Sequence, residues 1–100
     1  MRIDEGITLH VVVYHSDEDQ AYLARSLDFD LLGHGDTPLE AVECLKGAID
    51  TYLEFTQRKG IPPFRRAPEE YWELYHQAAA RKLRNEPARP GEPLPYALAV

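Results

Sequence analysis

The stretch Gly33-His34-Gly35-Asp36-Thr37-Pro38-Leu39-Glu40-Ala41 divides the chain into a strand-rich beginning and a helical continuation. Thr37 and Glu40 stand in the T-x-x-E spacing of a capping box, in which the two side chains satisfy free N–H groups at a helix start. Pro38 falls at the first helical position, where its missing N–H costs nothing and its fixed φ suits the helix. The two glycines can adopt φ > 0, so a preceding strand can turn sharply into the helix. A strand, a glycine turn and a capped helix are therefore expected in immediate succession.

On the N-terminal side, Ile7–His15 is β-branched and aromatic, with Val11-Val12-Val13 at its centre, and reads as a strand central in its sheet. Ser16-Asp17-Glu18-Asp19-Gln20 contains no apolar residue and connects it, as a hairpin, to a second β-like run at Ala21–Leu27. Asp28-Phe29-Asp30 interrupts that run, and Leu31-Leu32 before Gly33 makes a short third strand.

From Pro38 onward, Val42, Leu45, Ile49, Tyr52, Leu53 and Thr56 recur at helical intervals until Gly60, a C-cap signal followed by Pro62-Pro63. A helix of about 22 residues follows from this pattern, roughly 33 Å long. Ala67-Pro68-Glu69-Glu70 opens a second helix running to about Asn85, with Tyr71, Trp72, Tyr75, Ala78, Ala79 and Leu83 as its apolar stripe. Glu86–Pro95 is proline-rich and extended. The apolar Tyr96–Val100 should pair as a strand, with its own sheet or a neighbour's edge. The fold class is α+β: a small antiparallel sheet in β-β-β-α-α-β order with the helices on one face. It divides into a core over 1–63, an added amphipathic helix over 64–85 and a tail over 86–100, all within one domain.

The net charge of −6 is unevenly spread. Residues 1–57 carry three basic groups (Arg2, Arg25, Lys46) against twelve acidic, a balance of −9, whereas residues 58–100 carry eight basic against five acidic, a balance of +3. An acidic half of this kind repels phosphate, so DNA binding is not expected from this chain; either a basic partner protein suits it, or the charges are solvated faces that keep the protein soluble. Cys44 is the single cysteine and has no partner for an internal disulfide. Met1-Arg2-Ile3-Asp4-Glu5 lacks the order of a signal peptide, and no apolar run reaches the roughly 20 residues of a membrane span. A cytoplasmic location without membrane contact is the expectation.

Constellations that could carry chemistry are weak. Asp17, Glu18, Asp19, Asp28, Asp30 and Asp36 lack the spacing of a calcium loop; a metal-dependent nuclease would need Asp17, Asp28 and Asp36 to converge within about 4–5 Å of one point. His10, His15, His34 and His76 show no zinc-site spacing. Cys44 lies inside a helix, where nothing local activates it, and Ser26 has no G-x-S-x-G setting. Gly33-His34-Gly35 before a helix could hold an anion, but Asp36 puts negative charge at that spot and favours a structural role. No catalytic residue, metal or cofactor is expected.

In combination, Val11-Val12-Val13, Asp17-Glu18-Asp19, Tyr22-Leu23-Ala24, Asp28, Gly35-Asp36-Thr37, Glu40-Ala41 and Ala48-Ile49 with Tyr52-Leu53-Glu54 give residues 9–63 a pattern that resembles the HicB-like antitoxin family. The resemblance implies a β-β-β-α-β core like a truncated ribonuclease H fold, assembly as dimers or tetramers, and non-catalytic binding of a small basic HicA-type RNA-cleaving toxin. Its candidate partner-binding residues here are Asp17, Glu18, Asp19, Asp28 and Asp30, and candidate oligomer contacts are Tyr71, Trp72, Tyr75, Tyr96, Leu98 and Val100. A free-standing homo-oligomeric regulatory module without a toxin is the alternative. The chain departs from the family pattern at Leu27-Asp28-Phe29-Asp30-Leu31, where a proline- and glycine-containing loop is usual. Residues 64–100 show no DNA-binding motif, and the helix holding Tyr71-Trp72 stands where the last core strand would be. Tyr96–Val100 is then expected to supply that strand after an inserted helix, or to dock on another subunit.

Overall fold

A computed structural model describes residues 7–90 and 92–99; the expectations resting on Met1–Glu5 and on Val100 fall outside them. The element order is β1 (Thr8–Ser16), β2 (Ala21–Ser26), β3 (Leu31–Gly35), α1 (Pro38–Lys59), α2 (Glu69–Leu83) and β4 (Leu94–Ala99). The strands form one antiparallel sheet in the order β3-β2-β1-β4. The fold is α+β, as the sequence implies, and β4 joins the chain's own sheet beside β1, beginning two residues before the expected Tyr96. Among the described residues, no helix is long and apolar enough to cross a membrane.

The helices, expected on one face, lie on opposite faces of the sheet. Leu9, Val11 and Val13 pack with Val42, Leu45 and Ile49 of α1, whereas Val12 packs with Leu27, Ala67 and Trp72 of the α2 side. Successive residues of a strand point to opposite faces, so three buried valines in a row in β1 require cover on both. α1 supplies one cover and α2 the other. The linker between them passes round the β2–β3 end of the sheet, held by Arg65 N–H to the Asp28 carbonyl (2.8 Å), Ala67 N–H to the Leu27 carbonyl (2.9 Å) and the Tyr52 hydroxyl to the Pro63 carbonyl (3.0 Å).

Both ends of α1 are closed by local chemistry. Thr37 Oγ1 accepts from Glu40 N at 3.1 Å, and the Glu40 carboxylate reaches one residue further than the cap, accepting from Asp36 N at 3.0 Å. Gly60 takes φ 67°, and the bonds Gly60 N–H to Gln57 and Ile61 N–H to Thr56 complete a Schellman motif. Asn85, φ 57°, ends α2 in the same way through Asn85 N–H to Lys82 and Glu86 N–H to Arg81.

Gly33 and Gly35 do not serve the turn through left-handed backbone, as expected of them. Neither has positive φ among the described residues. Their role is close approach: a Cβ on Gly33 would fall 2.5 Å from the Ala41 carbonyl oxygen and closer still to the Leu45 amide, and one on Gly35 would fall 2.5 Å from Glu40 Cβ. The missing side chains let α1 pack with its backbone against β3.

Candidate functional site

The β1–β2 turn exposes Asp17, Glu18 and Asp19 at one end of the sheet. The turn is shaped by Ser16 Oγ donating to Asp19 Oδ2 (2.8 Å), Gln20 Nε2 donating to the Asp17 carbonyl (2.7 Å) and Gln20 itself at φ 53°. The ring of His15 sits 3.1 Å from Asp17 Oδ1. Because Gly35 pairs with Tyr22, and Ala21 with Ser16, the end of β3 returns to the same end of the sheet. Asp36 and Glu40, both exposed, therefore stand at the hairpin end with Asp17–Asp19. Of these, Asp36 belongs to the acids considered together on sequence for a metal but not to the candidate partner-binding set, and Glu40 belongs to neither. The signal for their grouping was the antiparallel order of three short strands, which returns the third strand's end beside the first turn.

Asp28 and Asp30, grouped with the hairpin acids on sequence, lie at the other end, in the turn between β2 and β3. With β2 spanning about 20 Å at roughly 3.3 Å per residue, the two sets are separate surfaces. Asp28 is turned inward. Its Oδ2 accepts from the His10 backbone N–H at 2.7 Å and lies 3.2 Å from the His10 ring. Asp30, held at φ 53°, pairs with Arg25 at 2.9 Å. These carboxylates organise the turn around Phe29, which is fully buried against Tyr52 and Phe64. Asp17, Asp28 and Asp36 do not converge, and among the described residues no group of three or more His, Cys, Asp or Glu side chains could hold a metal.

The aromatic residues of α2 are taken up within the chain. Trp72 is 8% exposed. Its ring lies 5.5 Å from that of His10, with the Arg66 guanidinium 4.4 Å over it. Tyr75 meets His10 edge-on at 5.4 Å, and Tyr71 stacks on Tyr14 at 6.0 Å. Arg25 lies 4.0 Å over the Tyr71 ring. Burial raises the Tyr14 phenol above its ordinary 10.0, with Arg25 pulling it partly back. For Arg25, burial works against the charge, but Tyr14, Tyr71 and Asp30 outweigh it and the pKa is raised. Of the remaining candidate oligomer contacts, Leu98 packs against the α1-side core and Tyr96 is 37% exposed on the edge strand.

Basic groups stand in two other places: Arg58 and Lys59 close α1 at the end away from the hairpin, with Arg65 and Arg66 following in the linker, and Arg81, Lys82 and Arg84 end α2. α1 thus runs from an acidic end to a basic one. No protein-family model matches the chain, and no curated protein and no solved structure is significantly similar to it.

Proposed function

We propose that this chain is a HicB-like antitoxin-type module: a non-catalytic, cytoplasmic, homo-oligomeric protein that neutralises a small basic RNA-cleaving partner of the HicA type. The observation that carries the reading is the acidic end, where Asp17, Glu18 and Asp19 project from the β1–β2 turn beside Asp36 and Glu40. Such a surface suits a basic partner whose own cationic groups serve to bind RNA, because it offers carboxylates where the nucleic acid would offer phosphates. The strand and helix order is compatible with the expected β-β-β-α-β core, with α2 inserted before the last strand.

The test is a binding titration between this chain and the product of a small basic gene beside its own. Replacing Asp17, Glu18 and Asp19 together by their amides should weaken the complex by roughly ten- to a hundredfold at low salt, chiefly through slower association. The far-UV spectrum and melting should stay unchanged, since all three side chains are exposed. Equal affinity of the two proteins would remove the acidic end from the account. A second reading, a free-standing homo-oligomeric regulatory module, is favoured by Phe55, Ile61 and Phe64, which are 42–50% exposed. It predicts self-association without any basic partner.

A further inference from the structure

Among the described residues β4 is an edge strand, and the direction of its outward backbone groups follows from its pairing. The His10 carbonyl accepts from Leu27 N–H at 2.9 Å, and its N–H goes to Asp28, so both backbone groups of His10 face the β2 side. By the alternation of an antiparallel ladder, Leu9, Val11 and Val13 then face β4. Their partners Leu98, Tyr96 and Leu94 face inward, which leaves the N–H and C=O of Ala97 and Ala99, and the C=O of Pro95, pointing away from the sheet. Ala97 and Ala99 are exposed and small, so nothing of their own blocks an incoming strand.

Beside this edge, on the α2 face, runs a groove of about 510 Å³ between helix and strand, lined by Tyr75, Ala79, Lys82 and Leu83 of α2 and by Pro95 and Ala97 of β4. Leu83 is 85% exposed. Arg81 is occupied by Glu92 and the Pro93 carbonyl, and Arg84 by Glu86, whereas Lys82 has no carboxylate partner among the described residues. The groove therefore combines open backbone donors and acceptors, an apolar wall and one available cation.

We propose that the β4 edge and the α2 groove together take up an extended segment of another protein that adds as a fifth strand beside Ala97 and Ala99, sets an apolar side chain against Tyr75, Ala79 and Leu83, and places a carboxylate on Lys82. Backbone pairing supplies the affinity in this mode, and the side-chain contacts supply the selection. A second copy of this chain suits the edge less well. Two copies paired about Ala97 would set two Lys82 ammonium groups on the same face of the joined sheet, and each Pro95 would leave an Ala99 carbonyl opposite it without a donor. This surface is distinct from the acidic end and does not depend on the antitoxin reading.

The test uses the whole chain and short fluorescein-labelled peptides alternating threonine and valine around one central glutamate, glutamine or lysine. The glutamate peptide should bind saturably by anisotropy, roughly three- to fivefold tighter than the glutamine peptide. Lys82→Glu should reverse the order in favour of the lysine peptide, and Leu83→Asp should weaken all three; both positions are exposed, so the variants keep the fold. Amide NMR shifts should centre on Ala97 and Ala99, and backbone N-methylation of the peptide should abolish binding. The proposal is overturned by absence of saturation, by indifference to the charge at position 82, by shifts confined to the hairpin, or by a β4-paired dimer that peptide does not dissociate.

Discussion

At the scale of single residues, the side chains that sequence marks as exposed chemistry are in several cases parts of the interior. Asp28 and Asp30 read as turn acids, yet one closes the His10 backbone and the other holds Arg25. Phe29 between them is fully buried, although a lone apolar residue in a polar turn has no periodicity by which a reading could find it. The Tyr14–Arg25–Tyr71–Asp30 cluster makes the same point and carries a pH dependence. Tyr14 has its pKa raised in the folded chain, so it titrates at lower pH in the unfolded chain, near 10.0. Its contribution to stability is complete below that value and is lost as pH rises through the folded pKa. Thermal unfolding should show a fall in Tm as pH rises above the ordinary tyrosine value of 10.0 that is smaller in Tyr14→Phe, whose ring stacks but does not ionise. An identical alkaline fall in both proteins would contradict this role.

At the scale of elements, what is local in the sequence is legible and what is mutual is not. α1 starts and stops where Thr37, Pro38 and Gly60 place it, because capping is decided by neighbours in the chain. The glycines before it were legible as special but not for the right reason, since their constraint comes from Ala41 and Leu45 across the β3–α1 contact. One glycine inside that contact and one on the exposed face of α1 give opposite predictions. Gly33→Ala should cost about 2–4 kcal/mol, because helix backbone must move to admit the Cβ. Gly47→Ala, where a Cβ meets nothing within 4 Å, should stabilise by up to about 1 kcal/mol through helix propensity alone. Denaturant titration of the two variants separates these effects, and a neutral Gly33→Ala would mean that α1 sits further from β3 than described.

At the scale of the whole molecule, the sheet is covered on both faces and one end of it, at the β1–β2 hairpin, gathers exposed carboxylates. The first property was implicit in Val11-Val12-Val13, which no single covering helix can bury, but the number of layers emerges only once β1 is placed between β2 and β4. The second was partly legible: the excess of acid in residues 1–57 was evident, while the register that draws Asp36 and Glu40 to Asp17–Asp19 and sends Asp28 and Asp30 to the far end was not. An exposed cluster of carboxylates acts over about a Debye length, about 8 Å at physiological salt, so its effects should be salt-sensitive. The direct measurement for the proposed antitoxin role is to express any small basic protein encoded beside this chain and follow its RNA cleavage as this chain is titrated in at low and at physiological salt. In the antitoxin role, cleavage is suppressed at near-stoichiometric ratio, and suppression weakens with added salt and with amide replacement of Asp17, Glu18 and Asp19. Undiminished cleavage at excess of the folded chain would contradict it.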